Sequence, residues 1–374
     1  MNSVQKAERL LSLDLFRGIT IAGMILVNNP GSWSHVYPQL RHAEWNGVTF
    51  TDLIFPFFLF IIGVAMTFSM TKQIEAGANR KDLLLKILRR TLIIFALGIF
   101  LSGFPMFDLS TLRIPGVLQR IALCYLFTSI IVLRTGWKGQ AYWTAGLLLF
   151  YWTVMNFVPV PGYGAGVLTP EGNFAAFIDG KILSGHMWSQ TKTWDPEGFL
   201  STIPAIATTL TGVLTGWFLR SDKTKIEKTV WMLLIGNLGL FLGWTFDTWF
   251  PMNKSIWTSS YVIYTSGFAL IFLAFCYWTV EVMNWRKWTR PFVLYGVNSI
   301  AVFVLSGFVA RLTFVIKFTN ADGSSTSLQK VLYNALFTSW LPPMTASLAW
   351  AGSYILTFLL LMWLMDKKGI YIKV

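Results

Sequence analysis

Long apolar segments alternate with short polar loops along almost the whole chain. A helix that crosses the hydrocarbon core of a bilayer needs about 20 mostly apolar residues, and ten segments reach roughly that length. They run over 12–29, 49–71, 83–103, 116–134, 140–158, 199–219, 229–249, 257–281, 291–316 and 344–365. The pattern predicts an all-α polytopic membrane protein with about ten transmembrane helices in a single domain over residues 1–374. A shorter apolar run at 328–340 is predicted to lie at the membrane surface.

Composition supports a membrane protein. Apolar residues make up 54% of the chain and charged residues 13%, about half of the roughly 25% that soluble domains carry. These values exclude a soluble enzyme and a disordered chain. The net charge of +13 resides in the loops that flank the apolar segments. We therefore attribute it to cytoplasmic loop bias and contact with membrane lipid, and we expect no nucleic-acid partner.

The distribution of Lys and Arg predicts the orientation, because these residues accumulate in cytoplasmic loops. With the N-terminus inside, 21 of the 30 basic residues fall on the cytoplasmic side. The nine on the outer side are Arg41, Arg113, Arg120, Lys181, Lys192, Lys254, Arg311, Lys317 and Lys330. This bias predicts that both termini are cytoplasmic and that the long loop 159–198 is external. The first apolar segment has no signal-peptide cleavage site and is expected to be retained.

The histidines all fall on the outer side in this orientation. They are His35, His42 and His186. Asn28 ends the first apolar segment and Asp52 lies in the first turn of the second. Polar and ionisable groups in membrane segments are functional by default, but each has a structural alternative. Asp52 can complement a helix dipole, Asn28 can be an ordinary helix-end residue, and His42 can be a solvated loop residue.

Other polar groups lie near the ends of the predicted spans. Asp14 and Arg17 are three residues apart, so they share one helix face and can form a structural ion pair. Arg113, Gln119 and Arg120 surround the start of the fourth segment and can equally be buried hydrogen-bonding groups that join helices. The residues alone leave these alternatives open.

Metal and disulfide chemistry find little support in the sequence. The two cysteines, Cys124 and Cys276, lie inside apolar segments and form no CxxC pair. The three histidines show no HxH or HExxH spacing. We therefore expect no metal site.

Seven blocks of the chain carry a family resemblance. They are SLDLFRG, VNNPG, HAEWNGVTFTDLIFPFFLFIIGVAM, RIPGVLQRI, WDPEGFLSTIPAI, NKSIWTSSYV and GVNSIAVFV. In this order they resemble the heparan-α-glucosaminide N-acetyltransferase family over almost the whole chain. The long block around HAEWNG is the most specific. Because the chain begins directly at the first LDLFRG helix, we expect a short, bacterial-type member in the bacterial inner membrane, with its active site toward the periplasm.

The resemblance implies an activity and several site residues. Family members are multi-pass acetyltransferases that take acetyl-CoA from the cytosolic side and acetylate the amine of a terminal glucosamine on the far side. They are also dimeric, which implies a homodimer here. The catalytic histidine of the family falls on His42, with Asn28 and Asp52 as its partners, and an arginine implicated in acetyl-CoA binding falls on Arg90. The catalytic motif region is 12–71.

The remaining site predictions follow from position and charge. Beside Arg90, we assign Arg89 and Arg17 to the coenzyme A rim, because guanidinium groups bind phosphates well. We add Asp14, which shares a helix face with Arg17. We assign Trp45, Asn46, Arg113, Gln119 and Arg120 to acceptor binding on the outer side. The loop NPGSWSHVYPQLR departs from the glycine-rich segment of the lysosomal enzyme, so we expect an amino sugar other than heparan.

Two other functions remain open. The same His/Asp pair can serve a membrane O-acyltransferase that modifies a surface glycan. A transporter without chemistry is the second alternative, but it should show inverted repeats with broken helices near the midplane, and none is evident in the sequence.

Overall fold

The computed structural model describes residues 10–319 and 323–372. The two chain termini, on which part of the predicted orientation depends, lie outside the described residues. The helices are α1 (Leu11–Asn28), α2 (Phe50–Met66), α3 (Lys72–Glu75), α4 (Arg80–Gly103), α5 (Val117–Arg134), α6 (Trp137–Phe157), α7 (Phe174–Ile182), α8 (Thr202–Leu219), α9 (Lys225–Phe246), α10 (Ser259–Tyr277), α11 (Arg290–Val297), α12 (Ser299–Val315), α13 (Leu328–Tyr333) and α14 (Pro343–Lys367).

Short elements complete the description. One-turn π-helices at Thr67–Thr71, Trp278–Val282 and Asn334–Thr338 extend α2, α10 and α13, and 3₁₀ turns lie at Pro38–Leu40 and Lys287–Thr289. Strands β1 (Lys317–Thr319) and β2 (Ser325–Ser327) pair antiparallel, with Lys317 opposite Ser327. This small hairpin follows α12 and leads into α13.

The predicted helical character is confirmed at all ten apolar segments. Within the described residues, seven helices are long and apolar enough to cross a membrane, and the bent pair α11–α12 would be an eighth. Helices α4 and α6 are also long, at 24 and 21 residues, but α4 carries a cluster of charges in its first turns and α6 is rich in Trp, Tyr and polar groups. The chain is therefore a polytopic helical membrane protein, and the count of ten crossings stays a prediction.

The prediction of one continuous helix over 291–316 is wrong. The chain bends by 72° between α11 and α12, at Asn298, whose φ of −112° and ψ of 32° leave the helical region. The Asn298 side chain accepts a hydrogen bond from the backbone N–H of Ile372 at 2.9 Å. Asparagine side chains commonly bind backbone groups in competition with the helix, and here the partner is the C-terminal segment.

The loop 159–198 is likewise more ordered than a simple connection. It contains α7, which Asn173 caps by accepting a hydrogen bond from the backbone N–H of Ala176 at 2.8 Å. Asp179 on α7 is buried and accepts a hydrogen bond from the N–H of Phe199 at 2.8 Å. Burial raises the pKa of Asp179 to about 6. The helix therefore ties the loop to the segment that leads into α8.

Helices α1, α2, α8 and α10 form the centre of the bundle, and α9 and α14 lie at its edge. In the most apolar 18-residue stretch of α8, 72% of the residues are buried. In the corresponding stretches of α9 and α14, 22% are buried. Helix α2 packs along α8, α9 along α10, α1 along α11, and α4 along α5. The exposed faces of α9 and α14 are rich in Leu, Ile, Phe and Trp, as expected for surfaces that contact lipid.

Glycines permit the close approach of α2 and α8. A Cβ atom at Gly63 would lie 1.9 Å from the carbonyl oxygen of Thr209, and one at Gly212 would lie 2.0 Å from that of Phe60. Small residues at such positions let helix backbones meet in membranes. Because Asp52 lies at one end of α2, this contact also fixes the helix that carries a candidate site residue.

We expect the substitution Gly212→Ala to destabilise the bundle, because the added methyl group must push α8 away from α2. Overpacking of this kind costs about 1–3 kcal/mol, so thermal unfolding in detergent should shift to lower temperature. The matched control is Gly146→Ala on α6, where a Cβ atom meets nothing within 4 Å. Equal unfolding temperatures for the two variants would contradict this account of the contact.

Candidate active site

The clearest chemical feature of the structure is a contact between His42 and Asp52. Nδ1 of His42 lies 2.5 Å from Oδ1 of Asp52. The His42 side chain is 50% exposed, whereas that of Asp52 is 1% exposed. Because a carboxylate only accepts hydrogen bonds, a neutral His42 carries its proton on Nδ1. Its Nε2 atom is then free to take a proton from a bound molecule.

Local sequence dictates how Asp52 is held. Thr49 and Asp52 form a capping box at the start of α2, the Thr-x-x-acid pattern that satisfies the first N–H groups of a helix. Oδ2 of Asp52 accepts hydrogen bonds from the backbone N–H groups of Thr49 at 3.0 Å and Ala43 at 3.1 Å. The Thr49 hydroxyl lies 2.9 Å from the same oxygen. Asp52 is therefore fixed on one side and presents its other oxygen to His42.

The neighbouring residues Trp45 and Asn46 contact more distant parts of the chain. Nε1 of Trp45 donates to the carbonyl oxygen of Leu168 at 2.8 Å, and its ring meets that of Trp194 edge to face, 5.1 Å between centroids. Oδ1 of Asn46 accepts a hydrogen bond from Nδ2 of Asn253 at 3.2 Å. Trp45 and Asn46, both predicted acceptor residues, thus connect the loop that carries His42 to the loop 159–198 and to the segment before α10.

A polar cavity of about 260 Å³ lies at the end of the bundle where α1 finishes. We call it the Asn28 cavity. Asn28, Gln119 and Arg113, all predicted site residues, line it together with Ser102 and Arg311. Its walls come from α1, α4, α5, α12 and the loop before α5. His42 and Asp52 lie at this same end, because they flank the start of α2, but they are not among the residues that line the cavity.

Arg113 is held by two acidic residues of the loop 159–198. Its Nε donates to Oδ2 of Asp195 at 2.8 Å, and Nη2 donates to Oδ1 of Asp195 at 2.6 Å and to Oε2 of Glu197 at 2.7 Å. Burial opposes the charge of Glu197, but Arg113, Lys254 and Arg120 outweigh it and hold the pKa of Glu197 below its ordinary value. Burial likewise opposes the charge of Arg113, and the two carboxylates raise its pKa.

Arg120, a predicted acceptor residue, is not among the residues that line the Asn28 cavity. It is 1% exposed. Its Nη2 donates to the carbonyl oxygen of Gly198 at 3.1 Å and to the hydroxyl of Ser201, and its guanidinium carbon lies 5.1 Å from the ring centroid of Trp257. This arrangement joins α5 to the start of α8 and to the segment before α10.

A second cavity, of about 310 Å³, lies toward the opposite end of α1. We call it the Arg17 cavity. Arg17 and Arg90, both predicted to contact coenzyme A, line it together with Tyr125 and Ser69. The guanidinium carbon of Arg90 lies 4.8 Å from the ring centroid of Tyr125.

Two further residues of the predicted coenzyme A rim lie near this cavity without lining it. The carboxylate of Asp14 is buried and pairs with Nη1 of Arg17 at 3.2 Å. Arg89 is exposed, beside Arg90 on α4. The structure therefore brings Arg17, Arg90 and Asp14 together and leaves Arg89 at the surface.

Four helices, α1, α4, α5 and α12, contribute to both cavities. On α5, Leu118 lines the Asn28 cavity and Ile121 lines the Arg17 cavity, a rise of about 4.5 Å along the helix. On α4, Gly98 lines the Asn28 cavity and Ile94 lines the Arg17 cavity, a rise of about 6 Å along the helix. The side chains at this junction on α4 and α5 include Ile94, Leu118 and Ile121, which are apolar, and we call them the apolar layer.

Several contacting residues were missed in the sequence reasoning. Thr49 was identifiable from its capping-box spacing to Asp52. The pairing of Arg113 with Asp195 and Glu197, and the contact of Tyr261 with the backbone of Asp52, join residues far apart in sequence and carry no local signal.

Of the other two histidines, His35 contacts its own loop and His186 contacts the segment before α5. Nδ1 of His35 lies 3.3 Å from the hydroxyl of Ser32, and Nδ1 of His186 lies 2.9 Å from the carbonyl oxygen of Leu112. Throughout 10–319 and 323–372, no three His, Cys, Asp or Glu side chains come together in a group that could hold a metal ion.

Comparison with known proteins decides the family. The family description "Heparan-alpha-glucosaminide N-acetyltransferase, catalytic" matches residues 9–243, more than half of the chain. The chain belongs to the heparan-alpha-glucosaminide N-acetyltransferase family. The matched region of this family member contains His42, Asp52 and Arg90, whereas α10 to α14 follow it.

Two curated relatives carry the family name. The human heparan-alpha-glucosaminide N-acetyltransferase is 32% identical over 352 residues, which cover 79% of this chain and 52% of the human protein. The mouse protein of the same name is 32% identical over 354 residues, with 80% and 53% covered. This family member spans about half the length of the curated relatives that it matches.

Proposed function

We propose that this family member is a transmembrane acetyltransferase that moves the acetyl group of cytosolic acetyl-CoA to the amine of a glucosamine-type sugar on the outer side of the membrane. The observation that carries the proposal is the His42–Asp52 pair, whose free Nε2 atom suits proton abstraction from an amine. The names of the human and mouse relatives support the reaction class.

The proposed reaction needs a base, a site for the developing oxyanion and a leaving thiolate. Nε2 of His42 takes a proton from the neutral amine of the acceptor as the nitrogen forms a bond to the thioester carbonyl carbon. Asp52 stabilises the resulting imidazolium, and Asn28 is a candidate donor to the oxyanion. Collapse breaks the carbon–sulfur bond and releases coenzyme A, whose thiolate takes up the proton. An acetyl-histidine intermediate on His42 is the two-step alternative.

The two cavities supply a route for the cofactor. Coenzyme A carries phosphates that are costly to place in hydrocarbon, and Arg17 and Arg90 offer charge-assisted hydrogen bonds to them. Nε of Arg90 is buried without a hydrogen-bond partner, so a ligand could complete its hydrogen bonding. In this proposal the pantetheine arm extends from the Arg17 cavity through the apolar layer toward the Asn28 cavity and the His42 end.

The acceptor is proposed to approach from the Asn28 end, near Trp45 and Asn46. Among the described residues that line the Asn28 cavity, two are arginines and none is Asp or Glu. Arg113 is already paired with Asp195 and Glu197. We therefore propose that Arg311, Gln119 and Asn28 meet the hydroxyl groups of the sugar, while its amine faces His42. We propose the bacterial inner membrane as the location, with the site toward the periplasm, and a homodimer as the assembly.

We expect Arg90→Ala to weaken acetyl-CoA binding by about ten- to a hundredfold, because a hydrogen bond to a charged group contributes about 1.5–3 kcal/mol. Isothermal titration of coenzyme A into purified protein measures the change. The comparison variant is Arg89→Ala. The Arg89 side chain, next to Arg90, is exposed. This variant should lose less coenzyme A affinity, since exposed ion pairs contribute at most about 1 kcal/mol. Unchanged affinity in Arg90→Ala would remove this residue from the cofactor site.

The proposed orientation can be tested by cysteine labelling, because both native cysteines are buried. We expect Ser184→Cys, in the loop 159–198, to react with an impermeant maleimide added outside intact cells. Asp222→Cys, between α8 and α9, should react only after permeabilisation. The opposite pattern would reverse the topology.

The activity itself is tested with purified protein, acetyl-CoA and two acceptors. Glucosamine should yield N-acetylglucosamine, and N-acetylglucosamine should not be acetylated. Acetylation of N-acetylglucosamine would instead indicate an O-acyltransferase. A protein that transports a sugar but releases no coenzyme A thiol would contradict the proposed reaction.

A further inference from the structure

The backbone carbonyl of Asp52 lacks the usual hydrogen-bond donor within its own helix. In an α-helix the carbonyl of residue i accepts a bond from the N–H of residue i+4, and for Asp52 that residue is Pro56. Proline has no N–H. The carbonyl of Asp52 is buried, and a buried polar group without a partner is costly.

The hydroxyl of Tyr261, on α10, takes the place of the missing backbone N–H. Its hydroxyl donates to the carbonyl oxygen of Asp52 at 2.5 Å, and the residue is 0% exposed. The sequence separation is 209 residues. The hydrogen bond that the helix lacks because of Pro56 is thus supplied by another helix, at the residue whose carboxylate holds His42.

The Tyr261 ring is itself braced. Trp257 lies edge to face against it, 5.3 Å between centroids, and against Phe55 at 5.2 Å. Trp257 has a left-handed backbone with φ of +52°, and its Nε1 donates to the hydroxyl of Thr208 at 3.1 Å. This packing limits the positions that the Tyr261 hydroxyl can take relative to Asp52.

We propose that Tyr261 is a positioning residue for the His42–Asp52 pair, and that it acts through the carbonyl that Pro56 leaves without an intrahelical partner. The inference rests on the proposed function for its kinetic consequence, but its geometric content is independent of activity. Without the Tyr261 hydroxyl, the first turn of α2 is expected to shift, and the Asp52 carboxylate with it.

Tyr261→Phe should lower the single-turnover rate of acetyl transfer by about tenfold, the factor that corresponds to one buried hydrogen bond. Coenzyme A affinity should stay within about twofold. Pro56→Ala restores an N–H at position 56, so the double variant Pro56→Ala/Tyr261→Phe should recover most of the rate. The recovery distinguishes positioning from a general loss of packing.

The matched control is Tyr295→Phe on α11. Tyr295 is also buried and donates its hydroxyl to a backbone carbonyl, that of Ile355, far in sequence from Asp52. It should lose comparable thermal stability and keep the wild-type transfer rate. A wild-type transfer rate in Tyr261→Phe would overturn the proposal. So would an equal loss of transfer rate in Tyr261→Phe and in the double variant Pro56→Ala/Tyr261→Phe.

A readout without turnover separates this proposal from the proposed function. The proton that His42 Nδ1 shares with a carboxylate should give a far-downfield proton resonance, which His42→Gln should abolish and so assign. That resonance should weaken in Tyr261→Phe and return in the double variant. If the wild type acetylates no acceptor, the proposed function fails while the resonance still decides the positioning role. A resonance unchanged in Tyr261→Phe rejects it.

Discussion

Replacing His42 by alanine is expected to lower acetyl transfer by about 10²–10⁴-fold, the usual contribution of a positioned general base. Within 10–319 and 323–372, the imidazole is the group in contact with Asp52 that can accept a proton from an amine and still reach solvent. Initial rates with saturating acetyl-CoA and glucosamine measure the loss. Activity within threefold of wild type would remove His42 from the mechanism.

Stability requires a control for this variant. The sequence predicts a negligible cost for a solvated loop histidine, but the structure gives His42 a buried partner. In His42→Ala, Asp52 keeps the hydrogen bonds from Thr49 and Ala43 but loses the one from His42. We therefore expect the free energy of unfolding to fall by about 1–3 kcal/mol. His35→Ala, in the same loop and with Nδ1 of His35 beside the hydroxyl of Ser32, serves as the matched histidine variant. It should retain both stability and activity.

Asp52→Asn is expected to reduce turnover by up to about 10⁴-fold, as when the carboxylate of a catalytic His–carboxylate pair becomes an amide. An amide no longer stabilises the imidazolium and can hold His42 in the wrong tautomer. Coenzyme A affinity should change by less than about twofold, because Asp52 and Arg90 lie toward opposite ends of the bundle. Titration and single-turnover rates on the same preparation test both parts.

The comparison with Arg90→Ala makes this result decisive. If Asp52→Asn loses as much coenzyme A affinity as Arg90→Ala, the two ends of the ligand are not bound separately. The cofactor would then have to bind in another orientation, with its nucleotide near His42.

Local patterns in the sequence were enough to find the helices and the central pair. Apolar length identified every long helix, and the resemblance of the HAEWNG block indicated His42 and Asp52, which the structure brings into contact. The bend at Asn298 was missed because the residue at the bend is neither Pro nor Gly, and the Asn298 side chain is bonded there to Ile372, 74 residues away. Helix α7 was missed because its nine residues sit in a loop rich in Gly and Pro.

Contacts between distant residues were the least predictable. Arg113, Gln119 and Arg120 are close in sequence, so one site for all three was a natural expectation. Helical geometry turns Gln119 toward the Asn28 cavity and leaves Arg120 buried against Gly198 and Trp257. Neighbouring positions on a helix face different directions, about 100° apart at 3.6 residues per turn, and only the packed neighbours reveal which direction meets which partner.

The apolar layer between the two cavities has an electrical consequence. A protein with aqueous openings on both faces of an energised membrane would dissipate the ion gradient if they joined. Ile94, Ile121 and Ile300 line the Arg17 cavity where it approaches the other one, and an ion that enters hydrocarbon without partners pays a large solvation cost. We therefore expect this layer to hinder the passage of protons and ions between the two cavities. Replacement of Ile121 by aspartate should make vesicles that contain the protein leaky to protons.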